Sequence, residues 1–290
     1  MKGITRYFSE DKFVKFKKDF SFLIKKIKDS KGELDLQIRP GNKFNIYYKG
    51  NSLAEVTIQK ANYVIKIHKE FEPIEASERD PKHRFPMKRF VFIGGTPYVL
   101  ITLIPEELPK FFQSKIINAL TSKIKKVNNG EEITFEQSLI TDNIDSEEVI
   151  IIDRQVGGGG LSGILDLLAL KKIDHAKYRL VILEVKLGNN IELKNKVAGQ
   201  IKKYIEVLQE RIEEFRNCYE KNYAQKKAAG LFPDKFPDNI TIENEVEGRI
   251  AVGLYSEIGK EYIKELLNKH PEWDNKIIQF SNKFDDEREL

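Results

Sequence analysis

Three charged side chains stand out because they interrupt two segments that are otherwise apolar. Asp166 is the only charge within residues 163–170, and Glu184 and Lys186 lie in the apolar run 180–187. A lone buried carboxylate is costly unless it is paired or bound to a metal. Asp166 therefore needs a partner, which the next segment can supply.

A strand with a period of two places Glu184 and Lys186 on one face and Val185 on the other. If Asp166 lies on the adjacent strand, two carboxylates and one ammonium meet at the end of the sheet. Hard oxygen ligands of this kind suit Mg²⁺ or Mn²⁺, with water and a substrate phosphate completing the shell. Such a metal would polarise the phosphate and lower the pKa of a bound water. Lys186 would orient that water or stabilise charge on the phosphorus.

The helix that follows adds a polar pair to this set. Gln200 and Tyr204 are four residues apart, a spacing that places them on one helical face. Lys202 and Lys203 lie on the same helix, within reach of a phosphate backbone.

The order of elements around these residues predicts an α/β domain. A helix is predicted at 111–127, a second from 193 to beyond 220, and a third at 260–268. Strands are predicted at 148–156, 162–171, 178–187, 249–255 and 276–280. Helix, three strands, helix, strand, helix and strand then follow one another, which favours a mixed sheet with helices packed against it.

The first hundred residues show a different pattern. One amphipathic helix is predicted at 10–30, and strands at 33–39, 43–49, 53–59, 63–68, 89–93 and 98–104, with turn-forming residues such as Pro40-Gly41-Asn42 between several of them. The four segments from 33 to 68 are typical of an antiparallel meander, and the last two strands follow a polar loop at 72–88. A boundary is expected at 105–109, which gives a basic, β-rich region 1–105 and a second domain 106–290.

Taken together, Asp166, Glu184-Val185-Lys186 and Gln200-x-x-x-Tyr204 resemble the PD-(D/E)XK nuclease superfamily, and within it the RecB-like nucleases. The resemblance covers about the C-terminal 180 residues. It implies a restriction-endonuclease-like fold, a mixed α/β sheet flanked by helices. It also implies Mg²⁺-dependent cleavage of nucleic acid, with DNA favoured over RNA.

The same resemblance assigns a role to each residue. Asp166, Glu184 and the backbone carbonyl of Val185 would bind the metal, Lys186 would assist the attacking water, and Gln200 and Tyr204 would line the site or contact substrate. This chain departs from the family pattern in two places. Leu165 stands where the family often has proline, and the additional acidic residue of the first helix has only Glu107 and Glu136 as candidates.

Charge is distributed unevenly along the 290 residues. Residues 1–128 carry a net charge of +12 and the remainder −8, for a total of +4. A basic first half fits a surface that binds phosphates or a protein partner, including a second copy of the chain, although lysines that merely solvate the surface would give the same count. The single cysteine, Cys218, excludes an internal disulfide, and no apolar run is long enough to span a bilayer. A cytoplasmic protein is expected.

Two other functions remain open at this stage. The first is a nucleic-acid-binding module that keeps the fold without cutting. The second is a protein-interaction scaffold, in which Asp166, Glu184 and Lys186 form an ordinary inter-strand salt bridge. A single Glu-x-Lys or Gln-x-x-x-Tyr pattern has little value by itself, so the order and spacing of the motifs carry the prediction.

Overall fold

The computed structural model describes residues 3–72, 88–127 and 130–281, and the chain folds into two compact units. Of the described residues, the first unit comprises 146–216 and 241–281, and the second 3–72, 88–127, 130–145 and 217–240. The boundary expected at residue 105 falls inside the second unit. The role given to residues 1–105 stays a prediction.

The second unit contains a six-stranded antiparallel sheet in the order β1-β2-β3-β4-β6-β5. Its strands are β1 (Leu34–Arg39), β2 (Lys43–Tyr48), β3 (Asn51–Ile58), β4 (Tyr63–His68), β5 (Lys88–Ile93) and β6 (Thr96–Leu103). Its helices include α1 (Glu10–Asp19), α2 (Ser21–Asp29), α3 (Leu108–Phe111), α4 (Ser114–Lys126) and α5 (Glu131–Asp142). The antiparallel meander predicted for residues 33–68 is confirmed, and β4 then pairs with β6 rather than with β5.

The core of this unit lies between the sheet and the helices. Phe16, Phe20 and Phe44 are fully buried, and the ring of Phe20 packs edge-on against that of Phe44 at 4.9 Å. These rings come from the helical stripe and the alternating strand positions that the sequence pattern picks out. Burial of such apolar area is the main source of stability for the unit.

The first unit contains a five-stranded mixed sheet in the order β11-β10-β9-β8-β7. Its strands are β7 (Val149–Val156), β8 (Leu165–Asp174), β9 (Lys177–Leu187), β10 (Thr241–Gly253) and β11 (Ile277–Gln279). β7, β8 and β9 pair antiparallel, whereas β10 runs parallel to β9 and β11 parallel to β10. The associated helices are α6 (Glu192–Asn195), α7 (Val197–Glu210) and α9 (Ser256–Lys269), and α8 (Ile212–Ala228) begins in this unit. The predicted fold class, a mixed α/β sheet flanked by helices together with an antiparallel β-rich region, is confirmed.

Several of the predicted helix and strand bounds are wrong. The helix expected at 10–30 is interrupted at Phe20, whose φ of −117° and ψ of 14° are not helical. The long helix expected from 193 breaks at Lys196 and again at Arg211, which gives three helices in place of one. Helix α5 was missed entirely, and β10 begins at Thr241, eight residues before the predicted strand.

In the described residues, no helix combines the length and apolar character needed to cross a bilayer.

Candidate active site

Asp166 and Glu184 lie next to each other at one edge of the mixed sheet. The β8–β9 ladder ends with Leu167 opposite Leu183, so Asp166 and Glu184 are the next residues outward on the two strands. The backbone N–H of Val185 donates to Oδ2 of Asp166 at 2.9 Å, and this bond fixes the carboxylate against β9. The two carboxylates that the sequence selected are therefore brought together.

Lys186 joins the two carboxylates. Its Nζ donates to Oε1 of Glu184 at 2.9 Å and lies 3.9 Å from Oδ2 of Asp166. Glu184 is 1% exposed and Lys186 6%. An ion pair this deeply buried loses its hydration, so its net contribution to folding is small, and it is weak evidence for a purely structural role.

Helix α7 covers the face of the sheet that carries Glu184. Gly248 of β10 is opposite Ile182 of β9, which shares a face with Glu184. A Cβ at Gly248 would lie 2.5 Å from Cγ2 of Ile201 and 2.8 Å from Cδ1 of Ile205. The missing side chain therefore lets α7 approach closely enough for its polar residues to reach the carboxylates.

Gln200 and Tyr204 form a chain of hydrogen bonds from the carboxylate to the hairpin between β7 and β8. The side-chain amide of Gln200 donates to Oε1 of Glu184 at 2.7 Å and to the hydroxyl oxygen of Tyr204 at 3.2 Å. The Tyr204 hydroxyl in turn donates to the carbonyl of Ile164 at 3.2 Å. A Cβ at Gly163 would lie 2.7 Å from that hydroxyl, so glycine makes room for it.

Burial raises the pKa of the Tyr204 phenol, an effect that the hydrogen bond from Gln200 opposes. Tyr204 therefore stays protonated and keeps donating to Ile164 at neutral pH. In this geometry the Tyr204 hydroxyl contacts Gln200, whose amide also donates to Glu184.

The donor set at this edge fits a divalent metal. Asp166 and Glu184 supply hard carboxylate oxygens, and Mg²⁺ is commonly held by one or two carboxylates while it keeps several waters. Among residues 3–72, 88–127 and 130–281, no group of three or more His, Cys, Asp or Glu is placed to hold a metal. The two carboxylates suit a Mg²⁺ or Mn²⁺ site completed by water and substrate, and the carbonyl of Val185 as a further ligand stays a prediction.

Four other charged residues bear on the assignment of this site. Glu107 and Glu136, the candidates for an additional acid, belong to the second unit, and a role for either in metal binding is untested. Asp153 and Arg154 of β7, which were not predicted as site residues, are fully buried on the strand that pairs with β8. Their signal was visible as two adjacent charges inside an otherwise apolar strand.

Gly188, just beyond Lys186, offers a test of how tightly this edge is packed. A Cβ there would lie 2.6 Å from the carbonyl oxygens of both Leu254 and Tyr255. We expect Gly188→Ala to lower the free energy of unfolding by about 1–3 kcal/mol, because backbone atoms must shift. Gly199→Ala is the matched control, since Gly199 has open space around it. Urea denaturation of both variants measures the difference, and equal stabilities would contradict such close packing around Gly188.

No protein-family model matches the chain, and no curated protein matches it significantly. Two solved structures align over most of its length. The first is a repair endonuclease from Pyrococcus abyssi, with 16% sequence identity and a TM-score of 0.25. The alignment covers 85% of this chain and 76% of that structure's chain. The second is an EndoMS–dsDNA complex, with 12% sequence identity and a TM-score of 0.26. The alignment covers 87% of this chain and 78% of that structure's chain. Global similarity at this level does not distinguish one fold from another.

Proposed function

We propose that this chain is a metal-dependent nuclease that hydrolyses phosphodiester bonds, with DNA as the expected substrate. The observation that carries the proposal is the cluster of Asp166 with the buried Glu184 and Lys186 at one edge of a mixed sheet. Asp166 lies on β8, and Glu184 and Lys186 lie on the adjacent strand β9. In residue type, in order along the chain and in placement on two neighbouring strands, they match the PD-(D/E)XK pattern. Gln200 and Tyr204 on the following helix support assignment to the RecB-like type.

Asp166, Glu184 and the carbonyl of Val185 would hold Mg²⁺ or Mn²⁺. When bound, the ion would polarise the scissile phosphate and lower the pKa of a water molecule. Lys186 lies between the two carboxylates, where its ammonium can donate a hydrogen bond to the attacking water or to a phosphate oxygen. That donation stabilises the negative charge that develops on the phosphate.

Gln200 and Tyr204 act on the carboxylates more than on the substrate. The Gln200 amide fixes one oxygen of Glu184, while the Tyr204 hydroxyl holds the β7–β8 hairpin in place just before Asp166. Both contacts restrict the carboxylates to one geometry before substrate arrives. Preorganisation of this kind increases the catalytic effect of a charged site.

The remaining assignments belong to the same proposal. The basic residues of region 1–105 would bind nucleic acid or a protein partner, including a second copy of the chain. A cytoplasmic location is proposed because the single cysteine, Cys218, is buried and forms no disulfide.

Cleavage assays test the proposal directly. Supercoiled plasmid, single-stranded DNA and RNA would each be incubated with the purified protein and Mg²⁺, Mn²⁺ or EDTA. We expect cutting that requires the metal and stops with EDTA. Intact substrates under every condition, together with nucleic-acid binding at low salt, would favour a binding module instead. Absence of both cutting and binding would favour an interaction scaffold.

A further inference from the structure

Helix α4 lies in a stretch of the chain that has no acidic residue. Between Glu107 and Glu131 there are five lysines and neither aspartate nor glutamate. One side of α4 packs into the second unit through four buried residues: Ile116, Ile117, Leu120 and Ile124. The opposite side of the helix therefore carries the polar and positively charged residues.

The exposed side of α4 consists entirely of side chains that can donate hydrogen bonds. Its exposed residues are Ser114, Lys115, Asn118, Ser122, Lys125 and Lys126. Positions 115, 118, 122 and 125 follow one another at intervals of three or four residues, so they form one line along the helix. At a rise of about 1.5 Å per residue this line is about 15 Å long. Ammonium, hydroxyl and amide groups are the ones with which proteins contact the phosphates of nucleic acids.

The lysines on this side are not neutralised by carboxylates. In the part of the chain that the structure describes, no ion pair involves Lys115, Lys125 or Lys126. Lysines of the first unit provide a contrast, since Lys177 and Lys260 lie 2.7 Å and 3.2 Å from glutamate oxygens. The positive charge of α4 is therefore available to an anionic partner.

Helix stability does not account for this arrangement. Lysines in the last turn, such as Lys125 and Lys126, are favoured by the helix dipole, whereas Lys115 in the first turn is disfavoured. A second ammonium lies at the same end of the helix, because Nζ of Lys26 in α2 donates to Oγ of Ser114 at 2.8 Å. A requirement other than stability, such as binding of an anion, explains why the lysines are placed there.

We propose that the exposed side of α4, with Lys26 of α2 beside it, binds the phosphate backbone of nucleic acid without regard to base sequence. The inference rests on the proposed nuclease function and names a surface that would hold the substrate. The exposed residues include no apolar or aromatic side chain. A helix that binds a membrane surface inserts apolar side chains between the lipids, and the centre of a protein interface is enriched in aromatic residues. Phosphate contacts alone need neither.

A triple variant, Lys115→Gln/Lys125→Gln/Lys126→Gln, tests the proposal. Glutamine is a good helix former, so the fold should survive, and circular dichroism checks that it does. Affinity for a fluorescent DNA duplex would be measured by anisotropy in EDTA, so that nothing is cut. We expect the affinity at low salt to fall by roughly tenfold or more. The slope of log affinity against log salt should become less negative by about 2–3, because each lost phosphate contact removes about 0.9.

The matched control is Lys43→Gln/Lys177→Gln/Lys260→Gln. It removes the same total charge, but from lysines that are already paired with glutamates. Its affinity and salt slope should stay close to those of wild type. An equal loss of affinity in both variants would mean that net charge, and not the surface of α4, determines binding, which would overturn the inference.

Other outcomes would also overturn it. One is an affinity and salt slope in the α4 variant equal to those of wild type, and another is the absence of DNA binding by wild type. Binding of vesicles that contain phosphatidylserine in place of DNA, through the same lysines, would contradict it as well. Cleavage assays keep the nuclease proposal separate. DNA binding through α4 without any cutting would overturn the nuclease proposal alone, whereas cutting by the α4 variant with the KM of wild type would overturn this inference alone.

Discussion

Lys186→Ala is expected to lower the rate of metal-dependent cleavage by roughly 10²–10³-fold, the usual loss when one preorganised donor is removed from developing charge. The ammonium of Lys186 is 2.9 Å from Glu184 and 3.9 Å from Asp166, so it is held where a phosphate oxygen or attacking water would meet it. Its removal also leaves two carboxylates facing each other with less compensation. We expect the free energy of unfolding to fall by on the order of 3 kcal/mol.

A loss of stability must be separated from a loss of chemistry. Lys226 provides the control, because it is 3% exposed, lies in the second unit and donates to Oε1 of Gln37 at 2.7 Å. Lys226→Ala should also lower stability, but the cleavage rate per folded molecule should equal that of wild type. Rates would be measured with the folded fraction determined by circular dichroism at the assay temperature. Wild-type rates in folded Lys186→Ala would remove this residue from the mechanism.

Glu184→Gln is expected to lower cleavage by about a thousandfold or more, because it removes one of the two carboxylates that would hold the metal and its charge stabilisation. The substitution is nearly isosteric, and the new amide can still contact Lys186 or Gln200 through its oxygen. The fold should therefore survive. Measuring the rate across a range of Mg²⁺ concentrations distinguishes weakened metal binding from a slower chemical step.

Glu243→Gln is the matched control for this variant. Glu243 belongs to β10 of the same sheet and is paired with Lys177 at 2.7 Å and Arg179 at 3.0 Å. It has the same chemistry as Glu184 but lies near the other end of the β9–β10 ladder, beside the start of β9. We expect wild-type cleavage from Glu243→Gln. If the two variants lost activity equally, general destabilisation of the sheet would explain both results.

The candidate site was largely predictable because its signal is local. Asp166 is the one charge inside an apolar strand, so it needs a partner to offset its burial. Glu184 and Lys186 are two residues apart on the next strand, so they share one face and can supply that partner. The close approach of helix α7 was not predictable. It depends on Gly248, where a Cβ would lie 2.5 Å from Ile201 and 2.8 Å from Ile205, and this packing follows from tertiary contacts.

The errors in the predicted helices and strands also arise from tertiary contacts, which the sequence pattern does not show. Helix α5 buries Glu136 and Gln137, so its apolar stripe is interrupted in the sequence. Gln137 donates to the carbonyl of Gly32 at 3.1 Å and accepts from the N–H of Gly50 at 3.2 Å, partners 105 and 87 residues away. The first half of β10 was missed because its carboxylates, including Glu247, pair with cations of β8 and β9 and give no apolar alternation.

The measurement that tests the central claim most directly is a calorimetric titration of Mn²⁺ into metal-free wild type and Glu184→Gln. A saturable binding event in wild type that is abolished or strongly weakened in Glu184→Gln is the predicted result, because Asp166 and Glu184 are the proposed ligands. No binding by wild type in the presence of a DNA substrate, or equal binding by both proteins, would contradict the assignment of a metal to this edge of the sheet.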